Sequence, residues 1–216
     1  RRRLAEVNGV RDLWHNVAIN TELCYSYVPA FEGLLSTLTQ YAAQHPEVDV
    51  LHFWLSDASN NQCECAECRK ISPVDWYARL INALSERLHS IAPEKRFVFL
   101  AYLEGWWPPE REVISTRYGN AIMMFAPIAR CFRHALTDKQ CDGEPALDRP
   151  KLNQVEAPRR NRTYAALCDL WHNQYAGDSF LFDYYMWSAI HEELSDTRLA
   201  QIIHQDMRDL KQLGLN

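Results

Sequence analysis

The segment Val48-Asp-Val-Leu-His-Phe-Trp-Leu55 decides the fold, because this apolar run of strand length stands between two amphipathic helical patterns. Before it, apolar residues recur at helical spacing from Phe31 to Ala42. After it, Ser72-Pro73 supplies an N-cap and a first-turn proline for a second helix with an apolar face. Strands that are apolar throughout and alternate with such helices indicate a parallel sheet covered on both faces.

The same alternation continues to the end of the chain. Further strands are predicted at 97–102, 121–126 and 180–186, with a short first candidate at 23–25, and further helices near 161–175 and 199–210. Between them lies a long irregular stretch, about 127–158. The chain has only seven glycines and no glycine-rich phosphate turn, so a dinucleotide-binding sheet is disfavoured. We predict an α/β fold: a single domain over 1–216 that forms a (β/α)8 TIM-type barrel, or the part of one that this chain carries.

Composition excludes several classes of protein. Apolar residues make up 47% of the chain, which is enough for a large core, and a net charge of −5 with interspersed signs argues against a nucleic-acid surface. No apolar run approaches the roughly 18 residues of a membrane span. We expect this chain to be accompanied by the remainder of a longer polypeptide. A helix face left bare by missing barrel units would favour a homodimer.

Three thiols follow the strand at C-x-C-x-x-C spacing, and this pattern does not suit core packing. Zinc prefers tetrahedral sulfur and nitrogen ligands. We therefore predict a structural zinc bound by Cys63, Cys65 and Cys68, with a fourth ligand from the long loop: Cys131, His134 or Cys141. One disulfide plus free thiols, or an iron–sulfur cluster, would use the same residues. Cys24 and Cys168 are expected to pack as small buried hydrophobes.

Acidic and aromatic residues follow the predicted strands, at the barrel edge where active sites collect. Two carboxylates can divide acid and base or nucleophile roles at a sugar. The predicted catalytic residues are Asp57, Glu104 and Asp183. Those predicted to bind substrate are Tyr25, Tyr102, Trp106, Arg130, Tyr184, Tyr185 and Trp187. Each acid has a plainer interpretation: Asp57 or Asp183 as a helix cap or arginine partner, and Glu104 as an exposed loop acid.

These residues resemble a bacterial family of glycoside-hydrolase-like barrels, a domain-of-unknown-function family with alpha-glucuronidase-like architecture. The resemblance rests on motifs spread from about residue 20 to the end, among which Ser56-Asp57 with the C-x-C-x-x-C element is the most specific. The others are Leu23-Cys-Tyr-Ser26, Ala101-Tyr102 before Pro108-Pro109, Arg130-Cys131-x-x-His134 with Cys141, and Phe182-Asp-Tyr-Tyr185. It implies a barrel that acts on a polysaccharide, often in secreted or periplasmic proteins.

The leading hypothesis is therefore a glycoside-hydrolase-like protein that acts on a polysaccharide or oligosaccharide and is clamped by a structural metal. A non-catalytic carbohydrate-binding or accessory barrel domain, stabilised by zinc, is the alternative. A redox or metal-handling protein built on the thiols is a third hypothesis, which would require an exposed thiol of low pKa. No zinc-protease or serine-hydrolase motif occurs.

Overall fold

A four-stranded parallel sheet forms the centre of the computed structural model, which describes residues 1–141, 145–186 and 196–215. The strands are β1 (Val50–Phe53), β2 (Arg96–Ala101), β3 (Ala121–Phe125) and β4 (Ser179–Leu181). They lie side by side in the order in which they occur in the chain. The predicted α/β class and parallel sheet are therefore confirmed.

The sequential strand order has a consequence for where the helices lie. Crossovers between parallel strands are almost always right-handed, so a chain that steps in one direction across a sheet places its helices on one face. The helix-facing side is wholly apolar where Leu51, Phe97 and Ala121 stand in register, and it is the larger part of the core. On the opposite side of β1, Val50 and Trp54 are exposed.

The described residues form four α-helices: α1 (Val28–Gln44), α2 (Pro73–Ile91), α3 (Asn161–Gln174) and α4 (Asp196–Leu210). The predicted start of α2 is confirmed in detail. The Ser72 side chain accepts the Asp75 N–H at 3.1 Å, and the Asp75 carboxylate accepts the Ser72 N–H in return. This reciprocal capping satisfies two backbone donors that a helix start leaves unpaired.

The described residues form four strands, half the number in a closed eight-stranded barrel. The predicted first strand at 23–25 is a single antiparallel bridge between Leu23 and Leu4, because the preceding chain folds back onto it instead of joining the parallel sheet. The last strand ends at Leu181 rather than at 186. Among the described residues, no helix combines the length and apolar character needed to cross a membrane.

Candidate functional site

Four cysteine sulfurs converge beside the carboxyl end of β1. The Sγ atoms of Cys24, Cys63, Cys65 and Cys68 all lie within 4.8 Å of one another. Cys24 Sγ is 3.7 Å from Cys65 Sγ and 3.8 Å from Cys68 Sγ. Zinc–sulfur bonds of about 2.3 Å in a tetrahedron place neighbouring sulfurs about 3.8 Å apart. The group therefore has the donor type and the spacing of a four-thiolate metal site, and it can hold a metal ion.

The N-terminal segment brings Cys24 to the other three thiols. It folds back on itself through a hydrogen bond of 2.8 Å from Cys24 N to Arg3 O. It also joins the cysteine loop, since Glu64 N donates to Glu6 O at 2.7 Å. Backbone bonds thus place residues 3–24 against the loop that follows β1.

The surroundings of the sulfurs favour a thiolate at Cys63 but not at all four positions, because burial raises the pKa of Cys24 and the hydrogen bond with Cys63 raises that of Cys68. Glu6 N donates to Cys63 Sγ at 3.3 Å, and the Arg11 guanidinium lies 3.9 Å from the same sulfur. A hydrogen bond from Cys68, together with the Glu6 N–H, lowers the pKa of Cys63 to about 4 even though burial opposes the ionisation. Four thiolates around a divalent ion leave a charge of about −2, which Arg11 partly offsets.

The residue that supplies the fourth potential metal ligand differs from the prediction. Cys24, expected to be a core residue, completes the group, and none of the described long-loop residues takes part. The long loop is nevertheless fastened to the cysteine loop, by amides. Asn153 Oδ1 accepts from Gln62 N at 2.9 Å, and Asn153 Nδ2 donates to Gln62 O at 3.0 Å. A side chain thus makes the connection that was expected of a metal.

The three long-loop residues predicted as ligands form a group of their own. The donor atoms of Cys131, His134 and Cys141 lie within 4.8 Å of one another. Cys131 Sγ is 3.4 Å from His134 Nδ1. The described residues therefore contain two separate groups of potential metal ligands, where one site was predicted.

Glu104 is an acid with a strongly shifted pKa at the carboxyl edge of the sheet. It follows β2, and its Oε1 accepts the Asn60 N–H at 2.7 Å. Burial is the main cause that raises the pKa of Glu104 to about 7, with a smaller contribution from the charge of Glu22. A carboxyl group with this pKa can donate a proton near neutral pH, as a general acid must.

The backbone on both sides of this contact is unusual. Leu103 has φ of 52° and Asn60 has φ of 60°, in the left-handed region that side chains other than glycine rarely adopt. Such a conformation costs about 1–2 kcal/mol per residue, although asparagine tolerates it better than leucine. Strain of this kind is concentrated at functional sites.

Glu22 is a second buried acid at this edge, and the prediction missed it. Its Oε1 accepts Ser56 N at 2.9 Å, and its Oε2 accepts the Tyr25 hydroxyl. Glu22 and Glu104 line the same small cleft, together with Tyr102. The available signal was an acid directly before the Leu23-Cys-Tyr25 stretch, but nothing local shows that this acid reaches the loop after β1.

Asp57 lies on the exposed side of the same edge. Burial is the main cause that raises the pKa of Tyr102 to about 12, and Tyr184, Asp57 and Glu104 add to it. Burial also raises the pKa of Tyr184, to which Asp57 contributes. Four of the predicted residues, two acids and two tyrosines, thus lie close enough for the acids to affect the ionisation of the tyrosines.

Asp183 and Arg130 lie deeper than the rim. Arg130 Nε is 2.9 Å from an oxygen of Asp183, and its Nη2 pairs with Asp206 of α4. Both Arg130 and Asp206 side chains are fully buried, and that of Asp183 is 4% exposed. Burial raises the pKa of Asp183, while Arg130 acts against the rise. The structure thus supports the arginine-partner interpretation of Asp183, with Arg130 in the same ion pair.

Three other predicted substrate-binding aromatics are held by internal hydrogen bonds. Trp106 is 0% exposed, and its Nε1 donates to Ala126 O at 2.9 Å, so it packs beneath the edge. Tyr25 is buried against Glu22, and the Tyr185 hydroxyl donates to Asp206. Trp187 lies outside the described residues. Trp54 and Phe182, which were not predicted, are 45% and 43% exposed just past β1 and β4.

A cleft of about 260 Å³ opens beside Glu104. Its wall carries more cations than acids, the cations being Arg69, Lys70, Arg111, Arg149 and Lys151. The acid Glu110 is neutralised there by Arg149 at 2.5 Å. The arrangement as a whole offers four thiols that can hold a metal ion, a carboxyl group with a raised pKa and an open cleft. Comparison of the chain with protein-family models, with curated proteins and with solved structures finds no match in any of the three.

Proposed function

We propose that this chain is a glycoside-hydrolase-like (β/α)-barrel unit that acts on a carbohydrate at the carboxyl edge of its sheet. The observation that carries the proposal is Glu104: a partly buried acid after β2, with a pKa raised to about 7 by burial, on the wall of an open cleft. The sequential parallel order of β1 to β4 supports a barrel segment, and barrel enzymes place their catalytic groups at this edge.

Glu104 is the proton donor in this proposal, and Asp57 is the second carboxylate. Glycoside hydrolysis needs one acid that is protonated and one carboxylate that is ionised. Glu104 is partly buried and Asp57 is exposed, so their surroundings separate the two roles. Glu22 is a positioning residue, because it is held by Tyr25 and Ser56 and its charge helps to keep Glu104 protonated.

The four-cysteine centre is proposed to hold zinc in a structural role. Four thiolates at tetrahedral spacing fit zinc, and a site closed by four protein ligands has no position for a substrate. Cys24 lies two residues from Glu22. A metal there would fasten the N-terminal segment and so hold Glu22 beside Ser56.

Turnover of aryl glycosides and soluble polysaccharides, followed by release of reducing sugar, tests the proposal. Glu104→Gln and Asp57→Asn should each lower kcat by about 10²- to 10⁴-fold. Glu110→Gln is the matched control, since Glu110 lines the cleft but is paired with Arg149. In the wild type the loss of activity on the alkaline side should occur near pH 7, as Glu104 ionises. Unchanged turnover in both variants would contradict the assignment.

The carbohydrate-binding domain without hydrolysis is the second candidate. Exposed aromatic rings at Trp54 and Phe182 favour it, because such rings stack on sugar faces. It predicts saturable sugar binding, weakened in Trp54→Ala, with no product released by the wild type. Calorimetric titration with the same sugars separates this outcome from turnover.

A further inference from the structure

The group formed by Cys131, His134 and Cys141 goes beyond the proposed function and does not depend on it. It follows β3, whereas the four-cysteine centre follows β1. Two sulfurs and an imidazole nitrogen converge within 4.8 Å. These are the ligand types that zinc-like ions prefer, and two thiolates neutralise a divalent ion without leaving a net charge.

The distances within the group fit a metal. Cys131 Sγ and His134 Nδ1 are 3.4 Å apart. A tetrahedral ion with bonds of about 2.3 Å to sulfur and about 2.05 Å to nitrogen separates these donors by about 3.6 Å. A disulfide between Cys131 and Cys141 would not account for the His134 imidazole at 3.4 Å from Cys131 Sγ.

Asn161, at the start of α3, forms hydrogen bonds with the backbone of Cys131 and His134. Its Oδ1 accepts Cys131 N at 2.8 Å. Its Nδ2 points to the carbonyls of Cys131, at 2.9 Å, and His134, at 3.0 Å. Asn161 is 0% exposed, so these bonds are protected from water. The turn from Cys131 to His134 is therefore shaped without the metal, which lowers the entropic cost of binding one.

Two further elements fix the same turn. The buried Arg130 donates Nη1 to His134 O at 3.4 Å while it pairs with Asp183 and Asp206. Leu136 N donates to the Asp206 carboxylate from α4 at 2.5 Å. The turn that carries two of the three donors is thus preorganised by hydrogen bonds from α3 and α4.

We propose that Cys131, His134 and Cys141 bind a second divalent metal ion of the zinc class, with a fourth position open to water or a small anion. Among the described residues only these three donors form the group. Three protein ligands and one exchangeable position distinguish such a site from the closed four-cysteine centre.

Metal content per chain, measured by elemental analysis of protein purified without chelator, tests the site. We expect two zinc ions in the wild type and one in His134→Gln or Cys131→Ser. Cys65→Ser should lose the other ion and keep this one. Cys168→Ala controls for removal of a buried thiol outside both groups. One ion per chain in the wild type, unchanged in His134→Gln, would overturn the proposal, as would a Cys131–Cys141 disulfide in the mass spectrum of the purified protein.

Cobalt(II) reports on the open position. In cobalt-loaded wild type, added azide should shift the visible absorption bands, because the open position at Cys131, His134 and Cys141 can take the anion. The four-cysteine centre has no free position and should not respond. The shift should be absent in His134→Gln, whose fold is checked by circular dichroism. Two bound cobalt ions with no response to azide would overturn the open fourth position. None of these readouts requires glycosidase activity.

Discussion

The sulfur atoms of Cys24 and Cys68 lie 3.8 Å apart although 44 positions separate the two residues in the chain. This contact joins the N-terminal segment to the loop after β1. Glu22, two residues before Cys24, is thereby placed where Ser56 N and the Tyr25 hydroxyl can donate to it. The contacts among the four cysteines therefore also hold Glu22 in place at the sheet edge.

Cys24→Ser should weaken metal binding at the four-cysteine centre by more than about 100-fold, because one of four thiolates is lost. The free energy of unfolding should fall by at least about 2 kcal/mol, since metal binding contributes to folding. Elemental analysis and urea denaturation measure the two effects. Cys168→Ala, a buried thiol on α3 outside the group, should keep the metal. Full metal content in Cys24→Ser would rule out its role as a ligand.

Removal of the metal should release the N-terminal segment. We expect a strong chelator to accelerate tryptic cleavage after Arg11, because the metal bond through Cys24 that ties this segment to the loop after β1 is then lost. Cleavage sites are identified by mass spectrometry over time. Cys24→Ser should be cut quickly with or without chelator. Equal cleavage rates of the wild type in both conditions would show that the segment is held without a metal.

The free energy of unfolding should fall as the pH rises from about 4.5 to about 7. Glu104 has its pKa raised to about 7 by burial in the folded chain, so the native state retains a proton that the unfolded state releases. The resulting loss in the free energy of unfolding reaches its full value above pH 7 and amounts to about 3 kcal/mol. Urea denaturation at pH 5 and pH 8 should show this decline in the wild type, and a smaller decline in Glu104→Gln. Glu110→Gln should retain the decline of the wild type.

Asn161→Ala should cost about 3 kcal/mol or more, because buried backbone groups at Cys131 and His134 lose their partners. The matched control is Asn173→Ala on the same helix, which is exposed and should change stability by less than about 0.5 kcal/mol. Denaturant midpoints compare the two. A small effect at Asn161 would mean that the loop is held by other contacts.

Asp75→Asn should destabilise the chain by about 1–3 kcal/mol. One carboxylate oxygen accepts the N–H groups of Glu110, Arg111 and Glu112, while the other accepts from Ser72. Burial opposes ionisation, yet these donors lower the pKa of Asp75 below its usual value. Its contribution is therefore present at neutral pH and is lost as the pH falls through that lowered pKa. Glu86→Gln, exposed on the same helix, should have no such effect in the same denaturation measurements.

Local patterns predicted the elements well. The start of α2 could be identified from Ser72-Pro73, because a cap and its helix are neighbours in the chain. The four strands of the sheet were recognised as apolar runs, since strands in a parallel sheet are buried on both faces. Glu104 stood out for the same reason: its position after β2 is a property of sequence order.

Partners that are distant in sequence were decided by the tertiary structure. Cys24 has the apolar neighbours of a core residue, and only the bridge between Leu23 and Leu4 turns it toward Cys65 and Cys68. Asp183 and Arg130 likewise follow strands as rim residues would, yet Asp206 of α4 draws Arg130 into a buried ion pair. The chain by itself determined which chemical groups are present and which elements carry them. Which groups meet depended on how those elements pack, because each such contact joins segments that have no local reason to be near one another.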